Sequence, residues 1–201
     1  MNSEVIVAFI TGVLGPVILL ILQNRYNKKN KKRDIVKDTL QVSEVVLNKL
    51  EIIRETTHAD RAWICQFHNG GNFYPTGKSM AKFSMLYEVV NSGVSSIQSN
   101  FQNIPVNLFS KSINHLLNED VIEIPDYKDE KIATYGLKYV AEESGCKSGY
   151  LFSIKTIDDK FIAIMGLDFI KRKTHLSQEQ INELSIKATS IGGALMNYLK
   201  G

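Results

Sequence analysis

The stretch Tyr150–Phe169, YLFSIKTIDDKFIAIMGLDF, decides the fold. Gly149–Ile157 and Lys160–Phe169 are two strongly apolar runs, and Asp158-Asp159 between them suits a tight turn, so the pair reads as an antiparallel hairpin. A short polar loop follows, and then Leu176–Leu199, LSQEQINELSIKATSIGGALMNYL. Ser177 and Gln180 form a capping box there, and Ile181, Leu184, Ala188, Ile191, Leu195 and Tyr198 recur at helical spacing. Gly192 and Gly193 each cost a helix up to about 1 kcal/mol relative to alanine. Their succession predicts a kink or the close approach of another backbone.

Working back from the hairpin, Lys131–Ser144 reads as a helix stopped by Gly145, and Val121–Ile124 as a brief strand closed by Pro125-Asp126. A short helix is expected near Leu108–Leu117, after a polar stretch from Asn91 to Asn103. Ala62–His68, AWICQFH, alternates as a strand does, and Asn69-Gly70-Gly71-Asn72 interrupts it. Met80–Val90 resumes the strand pattern, with Phe83, Met85, Tyr87 and Val89 expected on one side. Residues 34–57 contain no Gly or Pro and place Ile35, Val42, Val46, Leu50 and Ile53 along one helical face. Strands bracketed by helices at both ends predict an α+β sandwich, one antiparallel sheet flanked by helices. Residues 58–201 are near the common size of a single domain.

The amino terminus differs in kind. Val5–Leu22 is uncharged and apolar, and Arg25, Lys28, Lys29, Lys31, Lys32 and Arg33 follow it. A run of that length in a helix reaches across a ~30 Å hydrocarbon core, and the basic flank sets its orientation. A signal peptide would need a basic segment before the run, where Met1–Glu4 carries only an acid. The expectation is a transmembrane anchor over residues 1–24, a basic juxtamembrane segment over 25–33 that meets anionic membrane lipids, a linking helix over 34–57 and the folded domain over 58–201. The localisation that follows is a single-pass membrane protein with its N-terminus outside and its C-terminal domain in the cytoplasm. From Asp34 onward the chain holds 18 basic and 20 acidic side chains. A folded part without basic excess argues against nucleic acid as a partner.

With the entering helix, AWICQFH, the hairpin and the capped closing helix in that order, residues 34–199 resemble GAF domains, small sensor modules related to PAS. The resemblance implies a ligand pocket between one sheet face and the central helices and loops. It also implies a homodimer through residues 34–57 and 177–199. The Asn-Lys-Xaa-Phe-Asp-Glu type pattern of cyclic-nucleotide-binding members is absent, and no cysteine stands in a bilin-attachment context. Neither cyclic GMP nor a covalent tetrapyrrole is implied, and no cofactor is expected.

The most unusual local string is His68–Pro75, HNGGNFYP. His68, Asn69, Asn72 and Tyr74 offer donors and acceptors around two permissive glycines; with Lys82 and Tyr87 they form the candidate ligand-binding set. The alternative for the same string is a plain hairpin loop. Gly77-Lys78-Ser79 resembles the end of a P-loop, but Gly71 stands six positions before Gly77 where that pattern needs five. His58, His68, His115 and His175 lack metal-ligand spacing, and no Gly-Xaa-Ser-Xaa-Gly elbow is present. Cys65 and Cys146 do not make a disulfide framework, and a cysteine-dependent reductase would need one of them exposed in a pocket. The expected function is a non-catalytic, membrane-anchored sensor for a small molecule or a protein. The alternative is a ligand-free scaffold that recruits a partner to the membrane.

Overall fold

The computed structural model describes residues 10–30, 34–130 and 137–199. The chain divides into two compact units, Met1–Asp38 and Thr39–Gly201. In the first, a π-helical turn at Ile10–Leu14 leads into helix α1, Gly15–Asn30. Among the described residues no helix is long and apolar enough to cross a membrane. The 16 residues of α1 reach about 24 Å at ~1.5 Å each, and polar residues begin at Gln23, so its apolar portion is shorter still. Val5–Phe9 and Lys31–Arg33 lie outside the described residues. The expected single-pass anchor, with its outside N-terminus and cytoplasmic domain, is corrected on this ground. Of the segment Arg25–Arg33, from which lipid contact is expected, Lys31–Arg33 lie outside the described residues.

Helix α2, Ile35–Thr57, starts where Asp34 caps it, accepting a 3.1 Å bond from the Lys37 amide. The second unit is built on six antiparallel strands: β1 (Arg61–Asn72), β2 (Ser79–Val90), β3 (Ile104–Pro105), β4 (Val121–Ile124), β5 (Ser148–Lys155) and β6 (Phe161–Phe169). Their order across the sheet is β3-β2-β1-β6-β5-β4, so the expected hairpin β5–β6 and the hairpin β1–β2 meet at the centre through β1 and β6. The helices are α3 (Ser110–Glu119), α4 (Leu137–Glu143) and α5 (Gln178–Leu199). The first half of the expected Lys131–Ser144 helix lies outside the described residues. The capping box of α5 is formed, with Ser177 N donating to Gln180 Oε1 at 2.9 Å and Gln180 N to Ser177 Oγ at 3.3 Å.

Alternation sends the strand side chains to two separate cores. Ala62, Ile64, Tyr150, Phe152, Ile154, Ala163, Met165, Leu167 and Phe169 meet Val46, Leu50 and Ile53 of α2 and Leu184, Ala188, Ile191 and Leu195 of α5. Gly192 lets α5 approach β5 closely: a Cβ there would stand 3.0 Å from the Lys155 carbonyl oxygen. The close approach expected of this glycine pair is real at Gly192, while Gly193 faces open space. On the opposite face, Trp63, Cys65, Phe83, Met85, Leu151 and Ile164 meet Phe101, Phe109, Ile113, Leu116, Tyr127 and Ala141.

One irregularity overturns an expected face. Ile64 pairs with Tyr87, but the next residue, Cys65, pairs with Met85, so Leu86 is extra on β2. Such a bulge reverses the alternation beyond it. Phe83 and Met85 therefore belong to one core, whereas Tyr87 and Val89 pack on the other.

Candidate functional site

The core opposite α2 and α5 is incompletely filled. A cavity of about 50 Å³ lies between the sheet, α3, α4 and the segment from Ile97 to Phe101. Its floor is Trp63, Cys65, Phe83, Met85, Leu151, Ile164 and Asp168, and almost all of its wall is apolar. Gly166, paired with Trp63, has no side chain because the indole lies over it; a Cβ there would fall 2.1 Å from the ring. That clearance seats Trp63 flat along the sheet, where its Nε1 donates to Asp168 Oδ2 at 3.1 Å.

Asp168 belongs to a buried ionic group. Arg61, at 1% exposure, donates from Nη1 to Asp168 Oδ2 at 2.9 Å and from Nη2 to the Ser95 carbonyl at 2.9 Å. Its Nε stands 3.2 Å from Glu88 Oε1, close enough for ion pairing but not aligned for a hydrogen bond. Glu88 in turn accepts from the Ile97 amide at 2.9 Å, the Gln98 amide at 3.2 Å and the Ser96 hydroxyl. Charges this deep persist only when paired. Here the pairing does a second job: it ties the cavity floor at Asp168, through Arg61 and Glu88, to the segment 95–98 that carries wall residue Ile97. Burial raises the Asp168 carboxyl above the usual carboxylate range, against the opposing pull of Arg61.

The second polar feature is Ser112 in α3. It is 2% exposed, it borders the cavity, and its hydroxyl has no hydrogen-bond partner among the described residues. A buried hydroxyl left so costs about 1–3 kcal/mol. Helical serines and threonines normally avoid this by bonding back one turn. Thr56, Thr57, Ser185 and Thr189 all do so in this molecule, donating to Ile52, Ile53, Ile181 and Ser185 carbonyls.

The six residues expected to bind ligand lie elsewhere, and none borders this cavity. His68 shares a 2.9 Å hydrogen bond with the Ser84 hydroxyl, which also accepts from the Asn103 amide. Asn69 and Asn72 are exposed at the far end of β1, and Tyr74 at the loop tip is 97% exposed. The Lys82 stem lies across Gly70, where a Cβ would stand 2.1 Å from it. His68 pairs with Lys82 in the β1–β2 register, so those two are brought together. Tyr87, past the bulge, sits in the other core.

Neither thiol is available as a nucleophile. Cys65 and Cys146 are free and buried, and burial pushes both thiols far above the ordinary cysteine range. Among the described residues no cluster of His, Cys, Asp or Glu is arranged to hold a metal ion.

No protein-family model matches the chain, and no curated protein matches it in sequence. Its structure does find relatives. A far-red cyanobacteriochrome photoreceptor superposes with a TM-score of 0.62 at 13% identity, covering 92% of this chain and 99% of that one. The phycocyanobilin-bound GAF domain of a cyanobacterial phytochrome gives 0.60 at 12% identity, over 82% and 92%. A domain of a putative two-component sensor histidine kinase from Sinorhizobium meliloti gives 0.53 at 16%, over 76% and 90%. The fold is that of a GAF domain. A bilin does not fit the cavity of about 50 Å³ as it stands, since ligand pockets of drug-sized molecules run to ~300 Å³ or more.

Proposed function

We propose that this chain is a GAF-type sensor module without catalysis of its own, which takes a small molecule into the cavity between the sheet, α3, α4 and residues 97–101. The observation that carries the reading is Ser112, a buried hydroxyl left without a partner at the edge of a void. Packing that served stability alone would have filled the void or bonded the hydroxyl to the preceding turn. The bilin-bound GAF domains among its structural neighbours support a small-molecule ligand, although the ligand here is a different and smaller one. Native mass spectrometry of the full chain, purified from its own cells, tests the reading. A stoichiometric co-purifying small molecule is the expected result. Bare protein, together with no response to any metabolite extract, overturns it.

The output is a homodimer. Leu40, Val45, Leu47 and Ile52 of α2 and Ile186 of α5 are large apolar side chains left exposed on the two helices expected to pair. Sedimentation of the full chain as a monomer at tens of micromolar counts against it.

A further inference from the structure

The identity of the ligand can be narrowed from the groups that border the cavity. Resting on the sensor reading above, we infer that the ligand is a compact, uncharged molecule with an apolar body and an amide- or alcohol-type head, which hydrogen-bonds to Ser112 and Asp168.

The charge follows from where the ions are already committed. Arg61 is paired with the floor residue Asp168: its Nη1 and Nη2 donate to Asp168 and to the Ser95 carbonyl, and its Nε stands 3.2 Å from Glu88 Oε1. Among the described residues no cationic side chain lines the void, so an anionic head would be buried beside a carboxylate with no cation in the lining to neutralise it. A cationic head meets the opposite difficulty. Its one charged neighbour among the described residues, Asp168, is already engaged by Arg61 and by the Trp63 indole, and the other polar groups in the lining are the neutral hydroxyls of Ser112, Ser144 and Tyr127. An ammonium would bring a full charge into an apolar wall beside a carboxylate already paired with Arg61, and neutral hydroxyls do not neutralise it. A neutral amide or alcohol suits what is present: its N–H or O–H reaches a carboxylate oxygen, and its own oxygen accepts the Ser112 proton.

The size follows from the volume. A cavity of about 50 Å³ is a third of the ~150 Å³ that accommodates benzene in an engineered protein core. About two heavy atoms fill it as it stands, and Ile97 and Phe101 are the walls that yield to admit a ligand of about six.

An isosteric probe set tests this on the full chain: isobutyramide, isobutyrate and isobutylammonium. Trp63 is the sole tryptophan, so the protein has a single indole N–H resonance, which donates to Asp168 at the cavity floor. Isobutyramide is expected to shift that resonance saturably, with isobutyrate and isobutylammonium at least tenfold weaker. Ser112→Ala is expected to weaken isobutyramide about fivefold, and Ser112→Thr, which keeps the hydroxyl, to retain more of its binding than the alanine variant. Equal binding by either charged probe, or an unchanged affinity in Ser112→Ala, overturns the inference while leaving a ligand cavity in place. If no probe moves the resonance, the inference falls. The sensor reading then stands or falls separately, on whether a small molecule co-purifies.

Discussion

The two faces of one sheet are packed to opposite standards. The same strands supply both, residue by residue. On the side of α2 and α5, Leu50, Phe152, Ile154, Met165, Ala188 and Ile191 are sealed at 1% exposure or less. On the side of α3 and α4, a void, an unbonded hydroxyl and a buried trio of charges occupy the corresponding layer. The first face holds the domain together, while the second carries features that cost stability, which is what the proposed ligand site would require. The difference teaches where to look for function in a fold whose strands give no catalytic signature.

Truncation should separate the faces most sharply. Phe152→Ala opens a cavity in the sealed core and is expected to cost about 3–5 kcal/mol. Phe109→Ala, beside an existing void, should cost at least about 1 kcal/mol less, because its neighbours have room to relax. Equal losses in urea denaturation would break the distinction. Arg61→Met tests the charges. It leaves Asp168 and Glu88 buried together without their cation, and is expected to cost about 3 kcal/mol. It should also speed amide hydrogen exchange at Ile97 and Gln98, whose N–H groups bond to Glu88. A smaller effect is expected at Gly166→Ala, about 2 kcal/mol by overpacking, with the Trp63 indole resonance displaced because the methyl takes the ring's place.

How much of this was legible beforehand depends on the range over which each signal acts. The capped helix α5 and the β5–β6 hairpin declare themselves locally, through Ser177, Gln180 and an unbroken apolar alternation. The cavity does not, because Trp63 and Asp168 are 105 residues apart in sequence and meet only through the register of β1 on β6. A signal was present: Arg61 and Asp168 are charges flanking or inside apolar strands, RAWIC and MGLDF, where a charge has to be paired. The bulge at Leu86 had no such mark. An extra residue that is itself apolar leaves the alternation of β2 looking regular, and Tyr87 was consequently placed on the wrong face. The glycine-rich string at His68–Pro75 is unusual in composition, yet it forms the end of β1 and the start of the loop after it, away from the cavity.

Titration offers a finer contrast. The Asp168 carboxyl is raised by burial, so its contribution is fully present below the ordinary aspartate value, about 3.9, and is lost as pH rises through the raised one. Asp120, lowered by hydrogen bonds from Lys155 and Ser153, does the reverse, contributing above that ordinary value and losing its contribution as pH falls through the lowered one. Stability measured from acid to neutral pH should therefore rise more across this range in Asp168→Asn than in the parent, and less in Asp120→Asn. The same sign for both variants would show that the two carboxyls are held alike.

The smallest effect is the most diagnostic. Ser112→Ala removes a hydroxyl that bonds to nothing among the described residues, in a helix, at a position bordering a void. Deleting a polar group with satisfied bonds destabilises; deleting one left unsatisfied returns part of its desolvation cost, and alanine is the better helix former. The free protein should gain about 1 kcal/mol in urea denaturation. A loss of that size would mean the hydroxyl is bonded in solution and that the void is an ordinary part of the core. A gain in stability accompanied by weaker ligand binding is the signature of a residue retained for what it binds and not for what it holds together.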